Sequence, residues 1–316
     1  MADGERVKPL LIVNPHSGGG KTRKIFPELV KVVQRRLGEV DAEYTNAPGH
    51  AIELASAGAR EGRELIVAVG GDGTLSEVVN GVLQSGKQGV HVGLIGQGTG
   101  GDFRKALGLE HRLDVYLDAI AKGATRKVDV GRARFIGHDG QPRERWFLNI
   151  LSAGMGGLVD QYVASGSRLL GGTAAYFIAS TKALFKSKIA DITCKVTSRG
   201  ETTEHALESM MIAVCNGRYF GSGMHVAPMA KLDDGVLEVV SLTAPNKVAF
   251  AVSSQSIYDG KHLGKVGTTH FSCERIEIDL VGDDARDVFL LDVDGEPLGR
   301  LPLTIEVVPK AIELRA

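Results

Sequence analysis

Gly70-Gly71-Asp72-Gly73-Thr74 stands directly between an apolar run, Leu65–Val69, and a helical pattern that begins near Leu75. Glycines let a backbone turn tightly and bring N–H groups close to an anion, and a helix N-terminus adds the positive end of its dipole. A chain of phosphates fits such a corner. Asp72 would repel phosphate unless a cation lay between them, so its presence points to a magnesium–nucleotide complex with Asp72 as a metal ligand at the reaction centre. The plainer reading is a turn with Asp72 as helix cap, but a cap needs only one of these five residues.

Two further glycine-rich loops sit in the same strand-to-helix position. Asn14-Pro15-His16-Ser17-Gly18-Gly19-Gly20-Lys21-Thr22 ends like a P-loop, but its head is Pro15, which has no N–H to offer a phosphate. It is read as a second nucleotide-contacting loop, with Asn14, Ser17 and Gly18 as its contacts and His16 as an ordinary loop residue. Gly96-Gln97-Gly98-Thr99-Gly100-Gly101 matches G-x-G-x-x-G, yet it falls in a late βα unit and no strand ending in a ribose-binding acid follows. It is read as a third loop of one shared phosphate site. Gly98 and Thr99 serve there, Thr99 as a hydroxyl donor, and Asp102 is either the cap of the next helix or a substrate ligand.

The elements that must hold these loops alternate in the first third of the chain. Leu10–Val13, Ala42–Thr45, Leu65–Val69 and Val90–Ile95 read as strands, and Ile25–Leu37, His50–Arg60 and Leu75–Leu83 as helices. This is the pattern of a parallel sheet flanked by helices, with function expected at the carboxyl ends of its strands. After about Gly123 the chain changes to short alternating segments: Val128–Phe135, Trp146–Leu151, Ile192–Thr197, Met210–Cys215, Val236–Leu242, Arg275–Leu280 and Val288–Leu291. Helical stretches at Thr173–Lys186 and Lys247–Tyr258 interrupt them. The reading is therefore an α/β domain over residues 1–124 and a β-rich domain over 125–303, with the tail, about 304–316, returning to the first.

Composition narrows the function. The 316 residues are 43% apolar and 24% charged, as a folded two-domain chain requires, and the formal charge of −1 argues against a nucleic-acid partner. No apolar run approaches the roughly 20 residues that cross a bilayer. The start, MADGERVKP, has no signal-like stretch, so a cytoplasmic protein is expected. Cys194, Cys215 and Cys273 suggest neither a disulfide framework nor a zinc site, only reduced thiols.

Taken together and in order, Asn14-Pro15-x-Ser17-Gly18, Gly70-Gly71-Asp72-Gly73-Thr74 running into Glu77-Val78-Val79-Asn80-Gly81, Gly98-Thr99 with Asp102-Phe103, Asp233-Asp234-Gly235-Val236-Leu237 and Asp294-Gly295-Glu296 form a set that resembles the diacylglycerol kinase catalytic domain family, particularly its bacterial lipid kinases. The resemblance spans nearly the whole chain. It implies an α/β nucleotide domain followed by a β-sandwich, with the active site in the cleft between them, ATP and Mg2+ as cofactors, and a lipid hydroxyl as acceptor. ATP contacts are implied at Thr45, which precedes Gly49-His50-Ala51, at Gly70, Gly71, Asp72, Gly73, Thr74, Leu75 and Ser76, and at Thr99. A structural magnesium is implied at Asp234, helped by the backbone carbonyls of Lys231 and Val236. Asp294 and Glu296 are the implied catalytic carboxylates, with Glu296 favoured as the base and Asp294 as its helper; alone, Val-Asp-Gly-Glu-Pro is ordinary hairpin chemistry. The chain departs from the family where Gly96 replaces a proline and Gly101 an asparagine.

An acceptor of this kind is diacylglycerol, ceramide or a sphingoid base, which requires peripheral contact with a membrane. The stretch from Arg168 through Ile178, followed by Lys182, Lys186 and Lys188, is apolar then basic. It reads equally as a bilayer-resting segment and as a buried helix with a solvated basic end. A homodimer is compatible with the sequence. Two rival functions stand beside the kinase of lipids: an NAD kinase, which shares the Gly-Gly-Asp-Gly-Thr loop, and a regulator that binds nucleotide or lipid without turnover.

Overall fold

A computed structural model describes residues 7–98, 100–122, 124–165, 172–221 and 223–316. The chain divides into two compact units, Met1–Val128 with Lys310–Ala316, and Asp129–Pro309. The division thus falls a little later in the sequence than the reading at 124/125, and the tail that joins the first unit is shorter.

In the first unit the elements run β1 (Leu10–Val13), α1 (Lys21–Leu37), β2 (Asp41–Tyr44), α2 (His50–Arg60), β3 (Leu65–Gly70), α3 (Asp72–Ser85), β4 (His91–Gly96), α4 (Asp102–Leu107) and α5 (Leu113–Lys122). The strands form one parallel sheet in the order β2-β1-β3-β4, closed beyond β4 by the tail residues Glu313–Arg315. One face packs Phe26, Leu29 and Val33 of α1 and Tyr116, Leu117 and Ile120 of α5 onto Leu11, Val13, Val67, Val69 and Ile95. α2 and α3 pack tightly on each other: a Cβ at Gly81 would meet the carbonyl oxygen of Ile52 at 2.3 Å. α3 starts at Asp72, three residues earlier than the periodicity suggested, because the first helical bond runs from Leu75 N–H to Gly71 C=O at 3.1 Å.

The second unit holds most of β5 (Thr125–Gly137), then β6 (Pro142–Phe147), β7 (Ile150–Gly154), α6 (Met155–Ser165), α7 (Gly172–Lys186), β8 (Ala190–Ser198), β9 (Glu201–Ser209), β10 (Met211–Cys215), β11 (Leu237–Leu242), α8 (Lys247–Tyr258), β12 (Thr268–Cys273), β13 (Arg275–Leu280), β14 (Leu290–Val293) and most of β15 (Glu296–Arg315). Two layers share β15: β12-β11-β10-β7-β14-β15 on one side, and β9-β8-β13-β15-β5-β6 on the other. Ile192, Ile276, Ile278 and Ile305 of the second layer meet Leu151, Ile212, Val214, Val239 and Leu291 of the first, which makes the β-sandwich core. Cys194, Cys215 and Cys273 are all buried free thiols, and burial pushes Cys194 and Cys273 up to about 12.

The segment read as a single strand, Trp146–Leu151, is two strands broken at Leu148-Asn149. The buried amide of Asn216 holds the break, donating to Leu148 C=O at 2.7 Å and to Asp129 C=O at 2.9 Å. α6 escapes the periodicity argument because it opens on two glycines. They are required by close packing: a Cβ at Gly156 would meet Ser152 Oγ at 2.1 Å, and one at Gly157 the Leu290 carbonyl oxygen at 2.2 Å.

α6 covers an unusual acid. On β14, Leu291 and Val293 face the sandwich core, so Asp292 faces the opposite way, beneath α6, where it is buried. Ser152, opposite it on β7, donates its hydroxyl to Asp292 Oδ1, and Asp160 of α6 is hydrogen-bonded to the same carboxyl. Burial pushes Asp160 up to about 6 and Asp292 well above the ordinary range, the nearby charges of Asp160 and Asp294 adding to the latter. In the unfolded chain both ionise near about 3.9. Folding therefore takes up protons between that value and about 6 at Asp160, so the stability this pair contributes is fully present at the acid end and is lost as pH rises through that window. Thermal unfolding followed from about pH 4 to about pH 7 should show this fall in the wild type, and Asp160→Asn or Asp292→Asn should flatten the slope.

Candidate functional site

The three glycine-rich loops leave the sheet side by side. Asn14 N–H reaches Val69 C=O at 3.0 Å and Gln97 N–H reaches Gly70 C=O at 2.7 Å, which extends the parallel ladder one residue past each strand. Beyond that point the backbones touch. A Cβ on Gly98 would stand 2.7 Å from Gly71 Cα, one on Gly18 would stand 2.7 Å from the Gln97 carbonyl oxygen, and one on Gly71 would face Ser17 Oγ at 3.8 Å. Gly18 also holds φ at +61°, a conformation that favours glycine. Ser17, Gly18, Gly70, Gly71 and Gly98 are thus brought to one corner. Thr99 lies outside the described residues.

Asn14 is occupied within the protein. Its Nδ2 donates to Thr74 Oγ1 at 3.2 Å, and its Oδ1 accepts from His16 N–H at 3.0 Å, so this side chain fixes the first loop against the second. Thr74 in turn requires Gly70, whose Cβ would fall 2.3 Å from Thr74 Oγ1. Leu75 is placed differently from its reading as a nucleotide contact: its N–H closes the first helical bond and its side chain is buried in the unit's interior. Ser76 is also buried, its Oγ without a partner among the described residues. The backbone N–H groups at the start of α3, from Asp72 to Thr74, are the ones that precede the helical ladder.

Asp72 makes no cap on its own helix. Its Oδ2 accepts from Asp102 N–H at 2.8 Å, so it serves the N-terminus of α4, whose N-cap position is Gly101 at φ +61°. Asp102 is therefore not the cap expected of it. It is the first residue inside α4, buried, with Oδ1 paired to Lys105 Nζ at 2.9 Å. Burial raises the Asp72 carboxyl above its usual range, and the neighbouring charge of Asp102 adds to that. The Asp102 and Phe103 N–H groups and Lys105 oppose it without winning. An acid that burial makes uncomfortable is a candidate functional position. The same discomfort is what a divalent cation would relieve, and two adjacent carboxylates suit magnesium, which completes its shell with water and phosphate oxygens.

Glu77, one turn further along α3, supplies an anchor that the list of candidate contacts missed. Its two carboxylate oxygens accept from Gly49 N–H at 2.8 Å and Ala51 N–H at 3.0 Å, capping α2 from a buried position. The signal was legible as the one charged residue of α3 beyond Asp72. Thr45, just before α2, is buried, and its N–H continues the β1–β2 ladder to Val13 C=O at 2.9 Å.

In the second unit, Asp294 and Gly295 form a two-residue hairpin turn between Val293 and Glu296, with φ of +49° and +88°. Asp294 bonds β7 twice: its N–H to Ile150 C=O at 3.0 Å, and its Oδ1 accepting from Ile150 N–H at 3.1 Å. Glu296 Oε2 pairs with Arg145 at 3.0 Å. The hairpin read from Val-Asp-Gly-Glu-Pro is therefore present, with both of its acids bonded within the unit. At the Lys231–Val236 loop, Asp234 is exposed and its Oδ1 accepts from Val236 N–H at 3.3 Å. Beside it, fully buried, Asp129 Oδ2 accepts from Gly235 N–H at 2.7 Å. Desolvation raises the Asp234 carboxyl, and the charges of Asp129 and Glu238 raise it further against Lys231 and the Val236 N–H, a balance that a cation would reverse. Asp129 was hidden in the sequence as an acid inside an apolar strand, between Val128 and Val130. Among the described residues no three His, Cys, Asp or Glu side chains gather around one point as a ready metal cage.

The chain matches two family models: the diacylglycerol kinase catalytic domain over residues 8–133, and the YegS C-terminal NAD kinase beta sandwich-like domain over residues 149–316. A protein of Staphylococcus carnosus named diacylglycerol kinase is 25% identical over 309 residues, covering 98% of this chain and 95% of its own. One of Staphylococcus aureus with the same name is 26% identical over 311 residues, covering 98% and 93%. The solved structure of a diacylglycerol kinase from Bacillus anthracis aligns with a TM-score of 0.68 at 22% identity over 97% of this chain and 96% of that one. Yeast NADH kinase complexed with NADH aligns with a TM-score of 0.50 at 12% identity, over 98% and 83%. These last two likenesses speak to the fold alone. With an α/β unit carrying the converged loops, a β-sandwich carrying the acidic hairpin, and relatives matched from end to end, the chain belongs to the diacylglycerol kinase family, and it is a kinase that takes an alcohol group as its phosphate acceptor.

Proposed function

We propose that this kinase transfers the γ-phosphate of ATP to the hydroxyl of a membrane lipid of the diacylglycerol, ceramide or sphingoid-base kind, working at the cytoplasmic face of a membrane. The observation that carries the reading is the corner where Ser17, Gly18, Gly71 and Gly98 meet beside the buried carboxylate of Asp72. Relatives named diacylglycerol kinase along 98% of the chain support the lipid as acceptor.

Phosphoryl transfer asks mainly for positioning and charge neutralisation. The N–H groups of Asp72, Gly73 and Thr74 at the start of α3 face the phosphates, the loops through Ser17, Gly18 and Gly98 close around them, and Thr45 serves the nucleoside end, with Thr99 a further contact implied by the sequence. Asp72 and Asp102 would hold a magnesium ion, which when bound supplies the positive charge that offsets the triphosphate. Asp234, with the carbonyls of Lys231 and Val236, is the proposed seat of a second, structural magnesium. Glu296 takes the proton from the acceptor hydroxyl, and Asp294, fastened to β7 by its two bonds to Ile150, fixes the turn that presents it. Arg145 holds Glu296 in place through their ion pair.

An assay with Mg-ATP against a panel of diacylglycerol, ceramide, sphingoid base and NAD, with product masses measured, should yield phosphorylated lipid and no phosphorylated dinucleotide; the reverse would assign the chain to NAD phosphorylation. Asp72→Asn keeps an acceptor for Asp102 N–H while removing the charge, so activity should fall about 100-fold or more while the melting temperature holds or rises. Gly98→Ala must push the third loop off Gly71, and a loss of about 1–3 kcal/mol in stability together with a raised KM for ATP is expected from denaturant unfolding and steady-state kinetics.

A further inference from the structure

α8 breaks the ordinary rule for a surface helix. Its inner face buries Phe250 and Ile257 against Val226, Ala227 and Met211, as it should. Its outer face presents Val248 at 74% and Val252 at 67% exposure, with Tyr258 at 52%, and from Val248 to Tyr258 it carries no charged side chain at all. A helix facing water usually turns charges outward; this one turns valines outward together with the uncharged Ser253 and Gln255. The apolar surface does not stop there. Lys247 Nζ donates to Phe185 C=O at 2.6 Å, which ties the start of α8 to the end of α7, where the Phe185 side chain stands 71% exposed. Ile189 follows at 43%, and Val281, held beside it by a 2.8 Å bond from its N–H to Asp191 C=O, is 59% exposed.

The charges carried by α7 and α8 themselves are of one kind. Lys182, Lys186 and Lys188 line the end of α7, and Lys247 opens α8. Lys182 rests its ammonium over the Tyr162 ring at 4.4 Å, and Lys188 donates to the Asp284 backbone. Of the nearby acids, Asp283 is paired with Arg286 and Asp259 with Lys261, while Asp191, Asp284 and Asp287 are exposed toward the Val281 end, away from α8 in sequence. Apolar side chains framed by lysines complement a layer of acyl chains under anionic headgroups. A second copy fits worse, because two-fold pairing brings the same lysines face to face.

We propose that α8 and the end of α7 form a docking face for an anionic bilayer, with Phe185, Val248 and Val252 entering the acyl boundary and Lys182, Lys186, Lys188 and Lys247 meeting the headgroups. The inference rests on the reading of the acceptor as a membrane lipid, and it locates the contact partly outside the apolar stretch that the sequence pointed to, since 168–171 lie outside the described residues.

The test is co-flotation of the full chain with phosphatidylglycerol-containing vesicles and with pure phosphatidylcholine vesicles. The wild type should bind the anionic vesicles and hardly the neutral ones. Val248→Asp with Val252→Asp, and separately Lys186→Glu with Lys188→Glu, should weaken that binding about tenfold or more while circular dichroism stays unchanged. The same variants should phosphorylate short-chain diacylglycerol dispersed in solution as fast as the wild type and lose turnover only on vesicle-embedded lipid. Wild-type protein that ignores anionic vesicles, or variants that bind them normally, would overturn the docking face. So would a dimer in sedimentation that the valine variants split, since the face would then be covered by a second copy. Variants that lose vesicle binding while no lipid is phosphorylated by the wild type would uphold the face and sink the lipid acceptor instead.

Discussion

The structure of the first unit turns on the contact between two backbones at Gly71 and Gly98. Gly98 has no room for a side chain against Gly71 Cα, so the loops after β3 and β4 press together, and Ser17 of the loop after β1 completes the corner. Everything else in the unit serves that approach. The parallel ladder delivers the strand ends at one level, Asn14 bridges the first loop to Thr74, and Glu77 fixes α2 against α3. With three loops so crowded, Asp72 is left buried with an uncomfortable charge, half-satisfied by the N–H of Asp102. That strain is local, and it sits where an anion and a cation would arrive together.

The second unit solves a different problem with similar means. A tight turn through Asp294 and Gly295 needs left-handed backbone at both residues, and aspartate is among the few side chains that tolerate it. The carboxylate then finds the Ile150 N–H, so the acid that stabilises the turn is also fastened in place. Glu296, at the first position of β15, faces Arg145 and is held without being sealed off. Beneath the same hairpin, burial raises the carboxyls of Asp160 and Asp292. Turn chemistry and acid chemistry are thus layered within a few residues of one strand pair.

Much of this was legible beforehand, and the reasons differ from element to element. Leu10–Val13, Lys247–Tyr258 and Arg275–Leu280 appear with the limits read from the sequence. The phosphate corner could be read because glycine and aspartate have so few reasons to cluster between a strand and a helix. α6 could not, since Gly156 and Gly157 suggest a loop until the close approach of β14 is known. β9 could not either, because an edge strand of Glu, Thr and His has no apolar alternation. Asp102 was misjudged as a cap since sequence cannot reveal that an acid thirty residues away, Asp72, already holds that N–H. Asp129 and Asp292 stayed hidden for a general reason: an acid buried in a strand is defined by neighbours that only the tertiary fold supplies.

β15 has one more consequence. Its last residues, Glu313–Arg315, complete the first unit's sheet beside β4, while its beginning belongs to the hairpin of the second unit. During synthesis β4 emerges early and then waits, with one edge of polar backbone open, until the whole of the second unit has left the ribosome. The first unit's sheet is therefore completed only after the second unit has been synthesised.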